Sequence, residues 1–279
     1  MTTITRTLPA TPAGRPTVRT ALRLTAMELR LLVRDPMVTV GLVALPMVMV
    51  LVLAGVFGDV PDPEFGGVAP DDHYVAGYVG VVLAALGLIT IPVHLASHRE
   101  LGVLRRFRAA GISGTEVVAS QILVGTVLAI VCGVAVLAVG AAVYGVRTPE
   151  NPWGVLGWFV IGLACSVAVG VALGTSLRSA RAANAIGNLV FVPAFLLGGG
   201  GPPRAVMTGP MGTISDALPL THVIGGIRQS WLGSTDDPHQ VWWPVLVTLV
   251  CVAVAIRTAR RSADHRPWFS RRGVSKLEP

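Results

Sequence analysis

Six stretches of this chain contain no Asp, Glu, Lys or Arg. They are Pro36–Gly58, His73–His98, Val117–Val146, Asn151–Leu177, Ala182–Pro203 and Pro238–Ile256, and their lengths are 23, 26, 30, 27, 22 and 19 residues. Together they hold over half of the 279 residues. A membrane-crossing helix needs about 20 mostly apolar residues. Inside a bilayer each segment must satisfy its own backbone polar groups, which a helix does unaided. Strands of a membrane barrel read as short alternating segments, and these runs are continuous. In the fifth run, Pro193, Gly198–Gly201 and Pro202-Pro203 confine the apolar part to about 182–197. Only 13% of the residues are charged, against about 25% in an average soluble domain. That composition excludes a disordered chain, a coiled coil and an ordinary soluble enzyme. The expected fold class is an all-α integral membrane protein. Its six transmembrane helices are expected at about 37–58, 74–97, 117–145, 153–177, 182–197 and 239–256.

The chain is also basic, with a net charge of +7. Numbering the loops alternately, 19 of the 22 Lys and Arg residues fall on the side that carries both termini. The other side has Arg147, Arg204 and Arg228, and an acidic loop with Asp59, Asp62, Glu64, Asp71 and Asp72. The positive-inside rule puts both termini in the cytoplasm. Trp153, Trp158, Trp242 and Trp243 fall near the outer ends of spans four and six, where interfacial indoles collect. Residues 1–17 have no apolar core of a signal peptide and read as a disordered cytoplasmic arm. Residues 258–279 read as a basic cytoplasmic tail. Cys132, Cys165 and Cys251 each sit in a different apolar run and read as small core residues.

Between the spans, Val18–Arg34 has helical periodicity. Arg19, Arg23, Arg30 and Arg34 share an arc of about 60°. Leu22, Leu29, Leu32 and Val33 lie elsewhere on the wheel, so an interfacial amphipathic helix on the inner leaflet is expected. The pair Asp35-Pro36 then separates it from the first span. After span two, Leu101, Leu104 and Phe107 recur every three residues with Arg105, Arg106 and Arg108 around them. A short helix ended by Gly111 fits. Ser113 and Glu116 match a capping box directly before span three. Ala205–Ser215 and Ala217–Ile227 are charge-free but only 11 residues each, too short to span, and suit re-entrant or interfacial helices.

The stretch Arg99-Glu100-x-Gly-x-Leu-Arg-Arg-x-Arg-Ala between spans two and three resembles the coupling-helix region of type-2 ABC transporter permeases. A second stretch lies between spans five and six. It runs from Leu197-Gly198-Gly199-Gly200-Gly201-Pro202-Pro203 through Leu218-Pro219-Leu220-Thr221-His222 to Gly226-Ile227-Arg228, and it is similar to the family's segment after the fifth helix. The likeness covers roughly residues 18–257. Two positions depart from it: Gly102-Val103 stands where the family often has Gly-Thr, and the Pro often found near Gly111 is missing.

The resemblance implies a permease subunit of an ATP-driven exporter, working as a homodimer or with a sister permease. A separate cytoplasmic ATPase would bind ATP and Mg. The only lysine is Lys276, so this chain has no P-loop. No cofactor is expected on this chain, and the subunit is not expected to be an enzyme by itself. The resemblance assigns Arg99, Glu100, Leu101, Leu104, Arg105, Arg106, Phe107 and Arg108 to the contact with that ATPase. Leu104 and Phe107 would be its apolar anchors. Glu100 would pair with an arginine and fix the angle of span two. Pro219, Thr221 and Arg228 would cap the outer mouth, with Arg228 and Trp231 near the outer head groups. Asn184 and Asn188, four apart on span five, either pack between helices or line a pathway.

His94 lies near the inner end of span two and reads as structural. No charged residue falls within a span, which disfavours ion-coupled transport. The arginine clusters beside the spans read as orientation and lipid contact, with no nucleic-acid partner. A hydrophobic or amphipathic substrate (a drug, a lipid or a lipid-linked compound) suits an apolar pathway, and an antibiotic-exporter-like permease in a bacterial inner membrane fits. An ATP-independent carrier or channel is the alternative, and an integral-membrane enzyme or assembly factor a more distant one.

Overall fold

The computed structural model describes residues 18–34, 36–177, 179–233 and 237–264. The arm expected at 1–17 and the tail beyond 264 lie outside these residues. Among them the chain is helical, with no β-strand; one isolated bridge joins Asp62 and Val68. The helices are α1 (Val18–Arg34), α2 (Pro36–Phe57), α3 (Pro70–Glu100), α4 (Val103–Ala109), α5 (Gly114–Tyr144), α6 (Pro152–Ser176), α7 (Ala180–Gly200), α8 (Gly209–Ala217), α9 (Pro219–Leu232) and α10 (Trp242–Asp264). Each of the six charge-free runs forms a helix. Four of these, α3, α5, α6 and α7, are long and apolar enough to cross a membrane. The other two, α2 and α10, are apolar over the described stretches Pro46–Phe57 and Trp242–Thr258.

Helix α3 is the central pillar. In its most apolar window 67% is buried inside the protein, against 22% for α7. Tyr74, Tyr78, Leu83 and Leu86 of α3 pack with Val50 and Ala54 of α2, Ala129 and Val136 of α5, and Ile224 and Ile227 of α9. Burying such side chains stabilises by about 1.5–3 kcal/mol each. Helix α10 lies along α6, and α1 lies along α5.

The mid-helix proline acts through a widened turn. Residues Leu86–Thr90 of α3 form a π turn, in which the Ile91 N–H reaches the Leu86 carbonyl. Pro92 follows directly; it has no N–H to donate and its ring crowds the carbonyl four residues back. That carbonyl, on Leu88, lies against Gly187 of α7, where an added Cβ would clash with it. The Gly170 and Gly174 pair of α6 is used the same way. A Cβ on Gly170 would lie 2.9 Å from the Gly87 carbonyl oxygen, and one on Gly174 would lie 2.7 Å from the Leu95 Cβ. Small residues spaced four apart let helices approach closely, and here the partner is α3. A second π turn, Leu196–Gly200, ends α7, with Gly199 at φ 102°.

Candidate functional site

The cytoplasmic turn is built by capping chemistry. Helix α3 stops after Glu100, and Gly102 takes a positive φ of 67° that lets the chain reverse into α4. After α4, Gly111 does the same at φ 80°. Both limbs of the expected capping box are present at the start of α5. The Glu116 N–H donates to Ser113 Oγ at 3.3 Å, and the Ser113 N–H donates to Glu116 Oε2 at 2.7 Å. A short helix is thereby fixed between two long ones. Just before it Leu101 is 67% exposed; on it Arg106 is exposed, and the half-buried Phe107 sets its ring edge-on to His98 at 6.5 Å. Leu104, Arg105 and Arg108 belong to this turn, and their side chains lie outside the description.

Arg99 and Glu100 reach the turn between α6 and α7, Arg99 half-buried and Glu100 exposed. Arg99 Nη1 donates to the carbonyls of Gly174 at 3.4 Å and Leu177 at 3.2 Å, and to that of Thr175. Glu100 Oε2 accepts from the Ala180 N–H at 2.9 Å. An arginine was expected beside Glu100; the contact seen among the described residues is with a helix start. The reason is physical. The last carbonyls of a helix lack partners and carry negative partial charge, while the first N–H groups lack partners and carry positive partial charge. A cation belongs at the first and a carboxylate at the second. Thr258 of α10 donates to Thr175 Oγ1 at 3.1 Å, so α10 packs beside the turn where three helix ends meet.

On the opposite side, α8 and α9 form the short helices expected after span five. Pro219 opens α9, and Thr221 Oγ1 donates to the Ser215 carbonyl at 2.6 Å. Arg228 is not among head groups: it is 1% exposed. Its Nε donates to the His73 carbonyl at 3.1 Å, Nη2 to the Gly199 carbonyl at 2.5 Å, and Nη1 to Asp237 at 2.5 Å. Gly77 of α3 leaves the room, since a Cβ there would lie 2.6 Å from Arg228 Nη2. Trp231 is also buried, and its Nε1 donates to the Arg147 carbonyl at 2.8 Å. A charged group in an apolar setting must have its donors met inside the protein, and the turn after α9 supplies Asp237 for that. Nothing in the spacing of Arg228 and Asp237 pointed to the pair.

Helix α1 carries its arginines where the wheel put them. Arg19, Arg23, Arg30 and Arg34 are all exposed, opposite a buried face of Ala21, Leu24, Thr25, Glu28 and Leu32. Glu28 accepts from Gln121 Nε2 of α5, and its other carboxyl oxygen is buried without a partner among the described residues. Burial pushes its pKa up to about 6. Asn184 and Asn188 lie on the exposed face of α7. Asn188 Nδ2 donates to the Asn184 carbonyl at 2.8 Å and to its side-chain oxygen at 2.9 Å. Among the described residues no group of three or more His, Cys, Asp or Glu side chains is placed to hold a metal ion.

The chain is 25% identical over 195 residues to the inner membrane transport permease YhhJ of Escherichia coli, which covers 67% of this chain and 50% of that one. The figures for the protein of that name in Shigella flexneri are the same. The chain thus spans about half the length of the curated relatives it matches. The family described as ABC-2 type transporter matches residues 21–232, from α1 through α9. The chain belongs to the ABC-2 type transporter family of membrane permeases.

Proposed function

We propose that this chain is the membrane-spanning subunit of an ATP-driven exporter in a bacterial inner membrane. Six spans, with α2 and α10 completing the set, carry both termini on the cytoplasmic side. A cytoplasmic ATPase hydrolyses ATP with Mg, and the turn from Leu101 to Arg108 docks on it. The observation that carries this reading is the short helix α4, set between two long apolar helices by the chain reversals at Gly102 and Gly111 and the capping box that opens α5, with Leu101 exposed just before it. A mere connecting loop needs no such construction.

Two copies, or this chain with a sister permease, enclose the pathway. Asn184 and Asn188 support α7 as the wall of that path. Two amides on the exposed face of an apolar helix are costly against lipid, and a second subunit or a polar substrate group relieves that cost. Pro219 and Thr221 shape the outer mouth, and Arg19, Arg23, Arg30 and Arg34 meet anionic lipid. The substrate class that fits is hydrophobic or amphipathic: a drug, an antibiotic, a lipid or a lipid-linked compound.

Affinity purification of the tagged chain from its host membrane tests the reading. A protein with a Walker A motif should co-purify. A Leu104→Asp, Phe107→Asp double variant should release it while the permease still inserts. If no ATPase binds the wild-type chain, the reading fails in favour of an ATP-independent carrier or channel.

A further inference from the structure

We infer that Arg99 and Glu100 are the positioning residues that carry motion of the cytoplasmic turn into α7, by gripping the α6–α7 turn from both of its helix ends. This inference rests on the proposed ATPase coupling and adds its route through the subunit. The two residues end α3, and the docking turn begins one residue later. Their contacts nonetheless lie on another hairpin, about 75 to 80 residues further along the chain. Arg99 holds the outgoing carbonyls at Gly174, Thr175 and Leu177, and Glu100 holds the incoming N–H of Ala180. Any tilt of the docking turn therefore acts on the start of α7 directly. From Ala180 the force passes up one continuous helix to Asn184 and Asn188, one and two turns away. The close contact of Gly187 with the Leu88 carbonyl sets α7 against α3 a further step up, a fulcrum for that movement. Adjacent opposite charges also make the grip directional. Arg99 satisfies only carbonyls and Glu100 only an N–H, so neither can slide to the other's site.

The test uses the permease with its co-purified ATPase in lipid nanodiscs, in a Cys132→Ala, Cys165→Ala, Cys251→Ala background. Spin labels are placed at Val143→Cys and Ile186→Cys, which are exposed on α5 and α7. Their separation is measured without nucleotide and after trapping with ATP, Mg and vanadate. In the otherwise unaltered chain, trapping should shift the distance. In Glu100→Ala and in Arg99→Ala the ATPase should remain bound and hydrolysing, with the shifted fraction reduced at least about fivefold. Glu100→Gln keeps an acceptor oxygen for the Ala180 N–H and should restore most of the shift, which a general folding defect would not allow. The inference is overturned if trapping shifts nothing in the unaltered chain, or if Glu100→Ala shifts as that chain does. Loss of the ATPase from Glu100→Ala and Glu100→Gln alike would overturn it too, by making the pair a docking contact. An unaltered chain that binds no ATPase defeats the functional reading itself, a distinguishable failure.

Discussion

Removing one partner from a buried ion pair leaves an uncompensated charge and costs about 3–5 kcal/mol. Arg228 and Asp237 are such a pair, 1% and 8% exposed at their side chains. Asp237→Ala should lower the unfolding temperature in detergent markedly. An Arg228→Met, Asp237→Ala double variant should recover part of the loss, because the orphaned guanidinium is gone. Equal destabilisation in single and double variants would refute this account. Glu28 gives a pH signature. Its folded pKa of about 6 lies above the ordinary value of 4.5. The folded state therefore holds this proton more tightly than the unfolded one. The stability it contributes is fully present below pH 4.5 and is lost as the pH rises through 6. Glu28→Gln should thus stabilise the protein at pH 7.5 and do so progressively less toward pH 4.5, as read by thermal unfolding at both ends of that window. A benefit that is constant with pH would show that the carboxyl is not the titrating group.

Local signals wrote the helix boundaries and left the helix pairings unwritten. Pro36, Ser113 with Glu116, Asn151 and Ser179 all stand at helix starts, and Gly145 and Gly233 at helix ends, as capping chemistry requires. Ser113→Ala should cost about 1 kcal/mol, and hydrogen exchange should report it as faster protons on the first amides of α5. The arginine face of α1 was equally legible, since periodicity on a single helix decides it. The orientation of Arg99, Glu100 and Arg228 was not. Each has its partner on another helix, and a lone charge next to a span reads the same whether it faces water or a neighbouring helix end. The partner of the Gly170–Gly174 pair stayed hidden for the same reason. These close contacts can be tested by size. Gly187→Leu should force α7 off α3 and reduce the folded yield, because a side chain there meets the Leu88 carbonyl. Gly157→Leu, with nothing within 4 Å, should be tolerated. Comparable yields of the two, measured by size-exclusion chromatography in detergent, would contradict the packing described.

At the scale of the whole molecule, the basic residues and the acidic loop make one statement about direction. Val60→Cys, in the exposed loop after α2, should react with a membrane-impermeant maleimide in intact cells. Ala109→Cys, exposed at the end of α4, should react only after the membrane is opened. The reverse pattern would invert the subunit and place the docking turn outside.

The widened turn in α3 also has a consequence for chain length. A π turn takes up one residue more than an α-turn does, so residues Leu86–Thr90 form a local reservoir of slack above the gripping pair. Deleting one residue within that turn converts it to α-helix and leaves Arg99 and Glu100 facing the α6–α7 hairpin. Deleting one between Val93 and Ser97 swings both side chains by about 100° around the helix axis, away from every carbonyl and N–H they now hold. Insertions and deletions between relatives should accordingly collect in the upper stretch and be absent from the lower one.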